Sequence, residues 1–307
     1  MLTSGLQTRA SPALDQHPIR QSSRRFHLPQ ERKERMSTFS PIDLPGDRRF
    51  VARNRTTNPQ SLPAYSIVVP ARNEEDTIRD VLEDVRHMTD DLIVVDGHSS
   101  DDTVRIARSY GARVVQDNGR GKGDAVRVGL ANVAYAITVF IDADGSHDPG
   151  DIPKLVAPIA AGEADLVLGS RMLGGSEELF GSFSEVFRLI GCLAISLSIN
   201  YRYGVRLTDY ENGFRAIRTE VGRTIGLTSD IATIEQEMAM KCLKNGYRVT
   251  ERPTHESRRK GGTSKINPVQ VGHLFVLNLI RGLIGRRRVP AAVSLSRNEH
   301  PVSAEKR

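Results

Sequence analysis

Short apolar runs alternate with amphipathic segments through the middle of the chain. Runs rich in Val, Ile and Leu predict β-strands at 65–70, 92–96, 113–116, 137–141 and 165–169. Between the runs, apolar residues recur at helical spacing, as they do from Ile78 to Val85. Because the strands are apolar throughout and alternate with helices, the pattern predicts an α/β fold with a mostly parallel sheet covered by helices on both faces.

The pattern changes after Arg171. Long helices are expected at 183–199 and 231–245, with a strand at 247–252 and a basic, Gly-rich loop at 258–265. The chain is therefore expected to have four regions: a disordered basic tail at 1–62, an α/β domain at 63–266, an amphipathic helix that packs or contacts a membrane at 267–289, and a disordered tail at 290–307.

Positive charge is concentrated at the two ends of the chain. Residues 1–60 carry 11 basic and 5 acidic side chains, residues 61–280 carry 25 and 30, and residues 281–307 carry 7 and 2. A nucleic-acid-binding domain would concentrate Lys and Arg on its folded part, so we expect no nucleic-acid partner. Basic ends around an acidic middle fit the anionic surface of a membrane, and a solvated charged tail is the alternative.

No apolar stretch is long enough for a membrane-spanning helix. The stretch 189–199 is too short, and 269–284 is interrupted by His273, Asn278 and Arg281. The beginning of the sequence lacks an apolar core of secretory type, and Cys192 and Cys242 lack the spacing of a metal site. These features favour a protein in the cytoplasm that is attached peripherally to the cytoplasmic face of a membrane.

Polar side chains follow the predicted strands at the point where each one ends. Asn73 and Glu74 follow the first strand, Asp96 ends the second, and Asp142 and Asp144 follow the fourth. Ligands of open parallel sheets bind beyond the carboxyl ends of the strands. The sequence therefore predicts that these side chains share one site.

The Asp-Ala-Asp segment at 142–144 is the strongest local signal. Two carboxylates one residue apart in an extended segment point to the same side, and without a cation two negative charges at the end of a buried strand are unfavourable. Mg²⁺ or Mn²⁺ binds such oxygen ligands together with substrate phosphates. The alternative is a solvated turn in which the aspartates cap a helix.

Several basic groups outside the tails predict a phosphate ligand. Lys122 lies in the Gly-rich loop 118–123 before a predicted helix, Arg171 follows the fifth strand, Arg188 lies within an apolar helix, and a further basic cluster occupies 258–265. A salt bridge for Arg188 and a solvated loop at 258–265 are the alternatives.

Seven motifs, in order, resemble the inverting family 2 glycosyltransferases of GT-A fold, in the branch of dolichyl-phosphate mannose synthases and other polyprenyl-phosphate glycosyltransferases. The motifs are VPARNEE at 69–75, VDGHSSDDT at 95–103, GKGDA at 121–125, DADGSHDP at 142–149, GSR at 169–171, TDYENGFRA at 208–216 and RKGGTSK at 259–265.

The resemblance implies a role for individual residues. Nucleotide-binding positions would be Pro70, Asn73, Glu74, Asp96, Lys122 and Asp142. Asp142 and Asp144 would hold the divalent cation, and Arg171, Arg188, Arg259 and Lys265 would bind the acceptor phosphate. Asp144, Arg171, Arg188 and Arg259 would be the catalytic residues, whereas Asp209 and Glu237 match acidic positions with no assigned role.

The implied activity is transfer of one sugar from a nucleotide diphosphate sugar to a polyprenyl phosphate. Transfer to a glycan or protein acceptor, and a scaffold that binds nucleotide sugar without turnover, are the alternatives. Two positions depart from the family pattern: Gly97 stands where many relatives have a second Asp, and Ser146 where some have Gln as a metal ligand. Spanning helices of some relatives are missing, so attachment would rely on the amphipathic stretches 183–199 and 269–284 and on the basic ends, or on another subunit. A membrane subunit or a second copy of the chain is a candidate partner.

Overall fold

The structure, a computed structural model, describes residues 62–177, 183–259 and 268–284, with side chains from 183–188 and 268–271 left out. The tails predicted for 1–62 and 290–307 therefore lie almost entirely outside the described residues, as does Lys265. The described strands are β1 (Ser66–Ala71), β2 (Leu92–Asp96), β3 (Arg113–Gln116), β4 (Ile137–Phe140), β5 (Leu166–Ser170), β6 (Arg215–Arg218) and β7 (Val249–Pro253).

The described part of the chain contains nine α-helices. They are α1 (Ile78–Val85), α2 (Thr103–Ser109), α3 (Lys122–Asn132), α4 (Ile152–Ala160), α5 (Arg171–Gly174), α6 (Phe183–Tyr203), α7 (Thr219–Thr224), α8 (Ile234–Lys244) and α9 (Pro268–Leu283). In α1, for example, Ile78, Val81, Leu82 and Val85 are all buried, since their spacing places them on one face.

The seven strands form one sheet in the order β3-β2-β1-β4-β6-β5-β7. All neighbouring pairs are parallel except those that β6 makes with β4 and β5. The predicted mostly parallel α/β sheet is therefore confirmed. The antiparallel strand β6 was not predicted, because its four residues, Arg-Ala-Ile-Arg, do not read as an apolar run.

Apolar cores lie on both faces of the sheet. On one face Ile67 and Val69 pack with side chains of α1, α2 and α4, and on the other Val68 packs with side chains of α3, α6 and α8. Successive residues of a strand point to opposite faces, so β1 must be apolar throughout. This burial on both sides explains the uninterrupted apolar runs of the sequence.

The register of the strands brings the predicted site residues to the same edge. Ala71 pairs with Asp96, so β1 and β2 end at the same level. Phe140, the last residue of β4, pairs with Val68, so Asp142 comes level with Pro70. In the described part of the chain, no helix is both long enough and apolar enough to span a membrane.

Candidate active site

A cleft of about 340 Å³ opens at the carboxyl ends of β1, β2 and β4. It brings together seven of the residues predicted from the sequence. Those seven are Pro70, Asn73, Glu74, Lys122, Asp142, Asp144 and Arg259. Further parts of the wall come from Gly97, Asp117, Gly119, Gly121 and the segment Ile231–Ala232.

The loop after β1 is fastened to the loop after β2. Asn73 has a left-handed backbone (φ 53°), and its side-chain oxygen accepts a hydrogen bond of 2.8 Å from the Ser100 amide. In return, the Asn73 amide donates to Ser99 Oγ (2.9 Å), and the Glu74 amide donates to Thr103 Oγ1 (2.8 Å). These bonds fix the wall of the cleft that contains Asn73 and Glu74.

Asp96 stabilises the loop after β2 and does not itself line the cleft. Its side chain is buried, and Oδ1 accepts a hydrogen bond of 3.1 Å from the Ser99 amide. The neighbouring residue, Gly97, lines the cleft instead. A Cβ atom at Gly97 would lie 3.2 Å from Arg72 Cβ, which is tighter than ordinary contact. The predicted contact of Asp96 with a nucleotide stays a prediction.

Asp142 is paired with a lysine that it shares with a second carboxylate. Lys122 Nζ lies 2.7 Å from Asp142 Oδ1 and 3.0 Å from Glu235 Oε1. Burial by itself would lower the pKa of Lys122, but the two carboxylates outweigh it and raise the pKa above its ordinary value. For Asp142, burial opposes ionisation, while Lys122 and His147 hold its pKa far below the usual range. Both groups are therefore charged.

Asp144 is paired with the basic loop that follows β7. Its Oδ2 lies 3.2 Å from Arg259 Nε, and its Oδ1 accepts hydrogen bonds from the Ser146 amide (3.1 Å) and Ser146 Oγ (2.7 Å). Ser146 stands where some relatives have a metal ligand, and in this structure it orients the carboxylate of Asp144. Each of the two predicted metal ligands has a basic partner.

Two residues that hold Asp142 were not identified from the sequence as site residues. His147 Nε2 lies 3.4 Å from Asp142 Oδ2, and its ring stacks on Phe214 with ring centres 5.1 Å apart. On the other side, a Cβ atom at Gly213 would lie 2.4 Å from Asp142 Oδ2. The motifs at 142–149 and 208–216 contain both residues, but only the fold shows their contact with Asp142.

The Gly-rich loop around Lys122 packs against protein backbone. A Cβ at Gly123 would lie 2.1 Å from the Ser229 carbonyl oxygen, and the Gly123 amide donates to the Asp230 carbonyl (3.0 Å). Glu237 holds the same segment by accepting hydrogen bonds from the Thr228 hydroxyl (2.6 Å) and the Ser229 amide (2.8 Å). Gly123 therefore allows the loop to pack closely against the backbone of Ser229 and Asp230. Glu237 has a structural role, because it holds that backbone in place.

Arg171 lies in a separate cluster of charges and is not among the residues that line the cleft. Its guanidinium group donates to both carboxylate oxygens of Asp209, at 2.7 and 3.0 Å, and to Glu256 Oε1 at 3.3 Å. The paired carboxylates outweigh burial and raise the Arg171 pKa well above its usual value. The side chain of Arg188 and all of Lys265 lie outside what the structure describes, so the predicted acceptor roles remain untested.

The donor set suits a hard divalent cation that shares its ligands with a phosphate. Asp142 and Asp144 line the same cleft, and hard oxygen atoms of this kind bind Mg²⁺ or Mn²⁺. Among the described residues, no group of three or more His, Cys, Asp or Glu side chains is arranged to hold a metal ion. Two carboxylates alone leave most of the ligands to water and to substrate oxygens, as is usual for Mg²⁺.

An α/β sheet that is covered on both faces, with an acidic pair and basic groups in a cleft at its carboxyl edge, suits a transferase that uses a nucleotide substrate. The family model of glycosyl transferase family 2 matches residues 66–224. The chain therefore belongs to glycosyl transferase family 2, with a GT-A-like fold.

Proteins similar to this chain include named glycosyltransferases. Glycosyltransferase AglJ of Haloferax volcanii is 33% identical over 221 residues, which cover 71% of this chain and 71% of that protein. A dolichyl-phosphate hexose transferase of the same organism is 28% identical over 225 residues, covering 72% and 95%. Glucosyl-3-phosphoglycerate synthase of Mycobacterium tuberculosis, crystallised with Mn²⁺, uridine diphosphate and phosphoglyceric acid, superposes with a TM-score of 0.56 at 25% identity, covering 75% and 80%.

Proposed function

We propose that this protein transfers one hexose from a nucleotide diphosphate sugar to a polyprenyl phosphate, with inversion at the anomeric carbon. The observation that carries the proposal is the arrangement of Asp142 and Asp144 in one cleft with Lys122 and Arg259. An acidic pair suits a divalent cation, and basic groups suit phosphate oxygens. A diphosphate leaving group needs both.

In this proposal the protein positions its substrates and neutralises charge. Pro70, Asn73 and Glu74 hold the nucleotide in the wall of the cleft. A divalent cation bound by Asp142 and Asp144 would neutralise negative charge on the departing diphosphate. Lys122 donates to a diphosphate oxygen, as preorganised donors do where negative charge develops.

The acceptor phosphate enters opposite the leaving group. A lipid phosphate is an anionic nucleophile, so no strong general base is required. Arg259 lines the cleft beside Asp144 and orients this phosphate. Arg188 and Lys265 are further predicted acceptor groups, as is Arg171, which would have to give up a contact with Asp209 or Glu256. The dolichyl-phosphate hexose transferase among the relatives supports this class of acceptor.

An exposed apolar face supports attachment to a membrane surface. On α6, Ile190, Leu193, Leu197 and Tyr201 are exposed at helical spacing. Val276, Leu277 and Ile280 of α9 and Ile284, which follows it, are exposed as well. The two helices are joined by a hydrogen bond of 2.8 Å from the Tyr203 hydroxyl to the Gly282 carbonyl. Three consecutive arginines, 286–288, follow α9 in the sequence, and basic residues beside an apolar helix face favour anionic lipid.

A small phosphate-bearing acceptor is the second candidate. Its support is the solved glucosyl-3-phosphoglycerate synthase, whose complex contains phosphoglyceric acid. The two candidates share the donor and differ in the acceptor. A competition between a polyprenyl phosphate and phosphoglyceric acid therefore separates them.

The test is transfer of labelled sugar from a panel of nucleotide sugars, including UDP-glucose and GDP-mannose, in Mn²⁺ or Mg²⁺. We expect labelled polyprenyl phosphate sugar that phosphoglyceric acid does not compete away. Label on phosphoglyceric acid alone would establish the second candidate. No turnover of any donor, while nucleotide sugar still binds, would leave only the scaffold alternative.

Attachment is tested by sedimentation with vesicles of phosphatidylglycerol. Leu197→Glu with Leu277→Glu removes two exposed apolar side chains, and we expect binding to fall about tenfold or more. Leu173→Glu, which changes an exposed leucine outside both helices, is the matched control and should bind as the unchanged protein does. Equal binding by all variants would assign attachment to the basic ends of the chain.

A further inference from the structure

All four oxygen atoms of the two proposed metal ligands already have protein partners. Asp142 Oδ1 contacts Lys122, and Asp142 Oδ2 lies 3.4 Å from His147. Asp144 Oδ1 accepts hydrogen bonds from Ser146, and Asp144 Oδ2 is paired with Arg259. Each carboxylate oxygen can accept more than one partner, so Ser146 can stay in place, but a divalent cation and the basic groups Lys122 and Arg259 repel each other at the oxygens they would share.

Glu235 offers Lys122 a second anionic partner. It lies in the first turn of α8 with its side chain buried, 3.0 Å from Lys122 Nζ through Oε1. Its other oxygen, Oε2, is buried and has no hydrogen-bond partner in the described part of the chain. A buried carboxylate oxygen without a donor is unfavourable, so Glu235 can accept more from the ammonium group than it does now.

Glu235 is held in place independently of Lys122. Its carbonyl oxygen accepts a hydrogen bond of 2.7 Å from Arg215 Nη1. Arg215 is fully buried, and its other donors reach the carbonyl oxygens of Tyr210 (3.1 Å) and Asn212 (3.0 Å). The buried arginine thus joins the start of α8 to the loop that ends at Gly213, beside Asp142.

We propose that Lys122 occupies the metal position of Asp142 in the free protein and moves toward Glu235 and the bound diphosphate when a divalent cation takes Asp142. This inference rests on the proposed function. It makes Lys122 and the cation competitors for one carboxylate, and it makes Glu235 the positioning residue that receives Lys122.

The proposal predicts opposite changes in Mn²⁺ affinity for substitutions of Lys122 and Glu235. Without the ammonium group of Lys122, Asp142 and Glu235 attract a divalent cation more strongly, so Lys122→Met binds Mn²⁺ about tenfold more tightly in the absence of nucleotide. Without the charge of Glu235, Lys122 stays on Asp142, so Glu235→Gln binds Mn²⁺ about threefold or more weakly. General damage to the fold would weaken binding in both variants.

The experiment is a titration of each variant with Mn²⁺ alone, in which electron paramagnetic resonance counts the free ion. Lys122→Arg keeps the positive charge and is the matched control, with an affinity near that of the unchanged protein. Equal or weaker Mn²⁺ binding by Lys122→Met overturns the inference. If that variant does not fold, Glu235→Gln decides, and unchanged Mn²⁺ affinity there overturns the inference.

Asp142→Asn separates this inference from the proposed function. If Asp142→Asn binds Mn²⁺ as well as the unchanged protein does, the proposed metal site itself is wrong. If Asp142→Asn loses Mn²⁺ while Lys122→Met gains nothing, the metal site stands and only the competition is wrong.

Discussion

Two clusters of charged side chains lie at the same edge of the sheet and differ in how tightly they are closed. Asp209 accepts two hydrogen bonds from the Arg171 guanidinium, and its side chain is 2% exposed. Asp142 contacts Lys122 through one oxygen atom and His147 through the other, and its side chain is 24% exposed in the cleft. The first cluster is a completed internal pair, whereas the second can exchange a protein partner for a ligand.

The two clusters should therefore differ in whether a substitution affects mainly stability or mainly ligand binding. Breaking a buried pair with two hydrogen bonds leaves an uncompensated charge, so the Arg171 cluster should affect stability first. The Asp142 and Asp144 cluster opens to the cleft, where a ligand can replace a protein partner, so it should affect ligand binding and turnover first.

The largest expected effect is in the cleft. Asp144→Asn removes one of the two negative charges that would hold the cation and should lower the rate of sugar transfer about 10³-fold, with little change in the thermal midpoint. Asp148→Asn is the matched control, because Asp148 lies in the same loop, is exposed and caps a turn through its contact with the Gly150 amide (2.8 Å). A rate for Asp144→Asn equal to that of the control would remove Asp144 from the site.

The next effect is in the closed cluster. Asp209→Asn leaves Arg171 buried with half of its ionic partners, and we expect the free energy of unfolding to fall by about 3 kcal/mol. Denaturant unfolding measures this value. A fall below about 0.5 kcal/mol would show that the pair behaves like a surface ion pair, and the contrast between the clusters would fail.

A smaller effect is expected at Gly213. Gly213→Ala places a methyl group against Asp142 and should cost about 1–3 kcal/mol of stability, with weaker Mn²⁺ binding. Gly191→Ala is the matched control, since nothing in the described structure lies within 4 Å of its new methyl group. In an exposed helix this control should gain about 0.5–1 kcal/mol. Equal behaviour of both variants would show that Asp142 moves freely.

The smallest effect concerns pH. Burial opposes ionisation of Asp209, but Arg171 holds the pKa of this carboxyl below its usual range, so the unfolded state binds its proton at a higher pH. The stabilisation is complete above about pH 4 and is lost as pH falls through the folded-state pKa. The difference in unfolding free energy between the protein and Asp209→Asn should therefore shrink in acid. A constant difference would contradict this assignment.

The sequence predicts the sheet well, because strands that are buried on both faces must be apolar throughout. The run 92–96, for example, coincides with β2. Strand β6 is not such a run, because Arg215 is fully buried through hydrogen bonds to carbonyl groups that only the folded chain supplies. An isolated arginine in the sequence does not reveal these partners.

The site is predictable in its residue types and less so in its pairings. Asp142 and Asp144 stand out, because two acids one residue apart after a buried strand need a partner. That Lys122 is shared with Glu235 depends on a contact between the start of α3 and the start of α8, which lie more than one hundred residues apart. Such contacts follow from topology and cannot be read from local spacing.

The central claim is that Asp142 and Asp144 together hold the cation of a diphosphate donor. The most direct measurement is anomalous scattering from crystals of the protein grown with Mn²⁺ and uridine diphosphate. We predict one peak within coordination distance of oxygen atoms from both carboxylates, with Lys122 Nζ moved from Asp142 toward Glu235 or the diphosphate. A manganese peak that contacts neither aspartate would contradict the account.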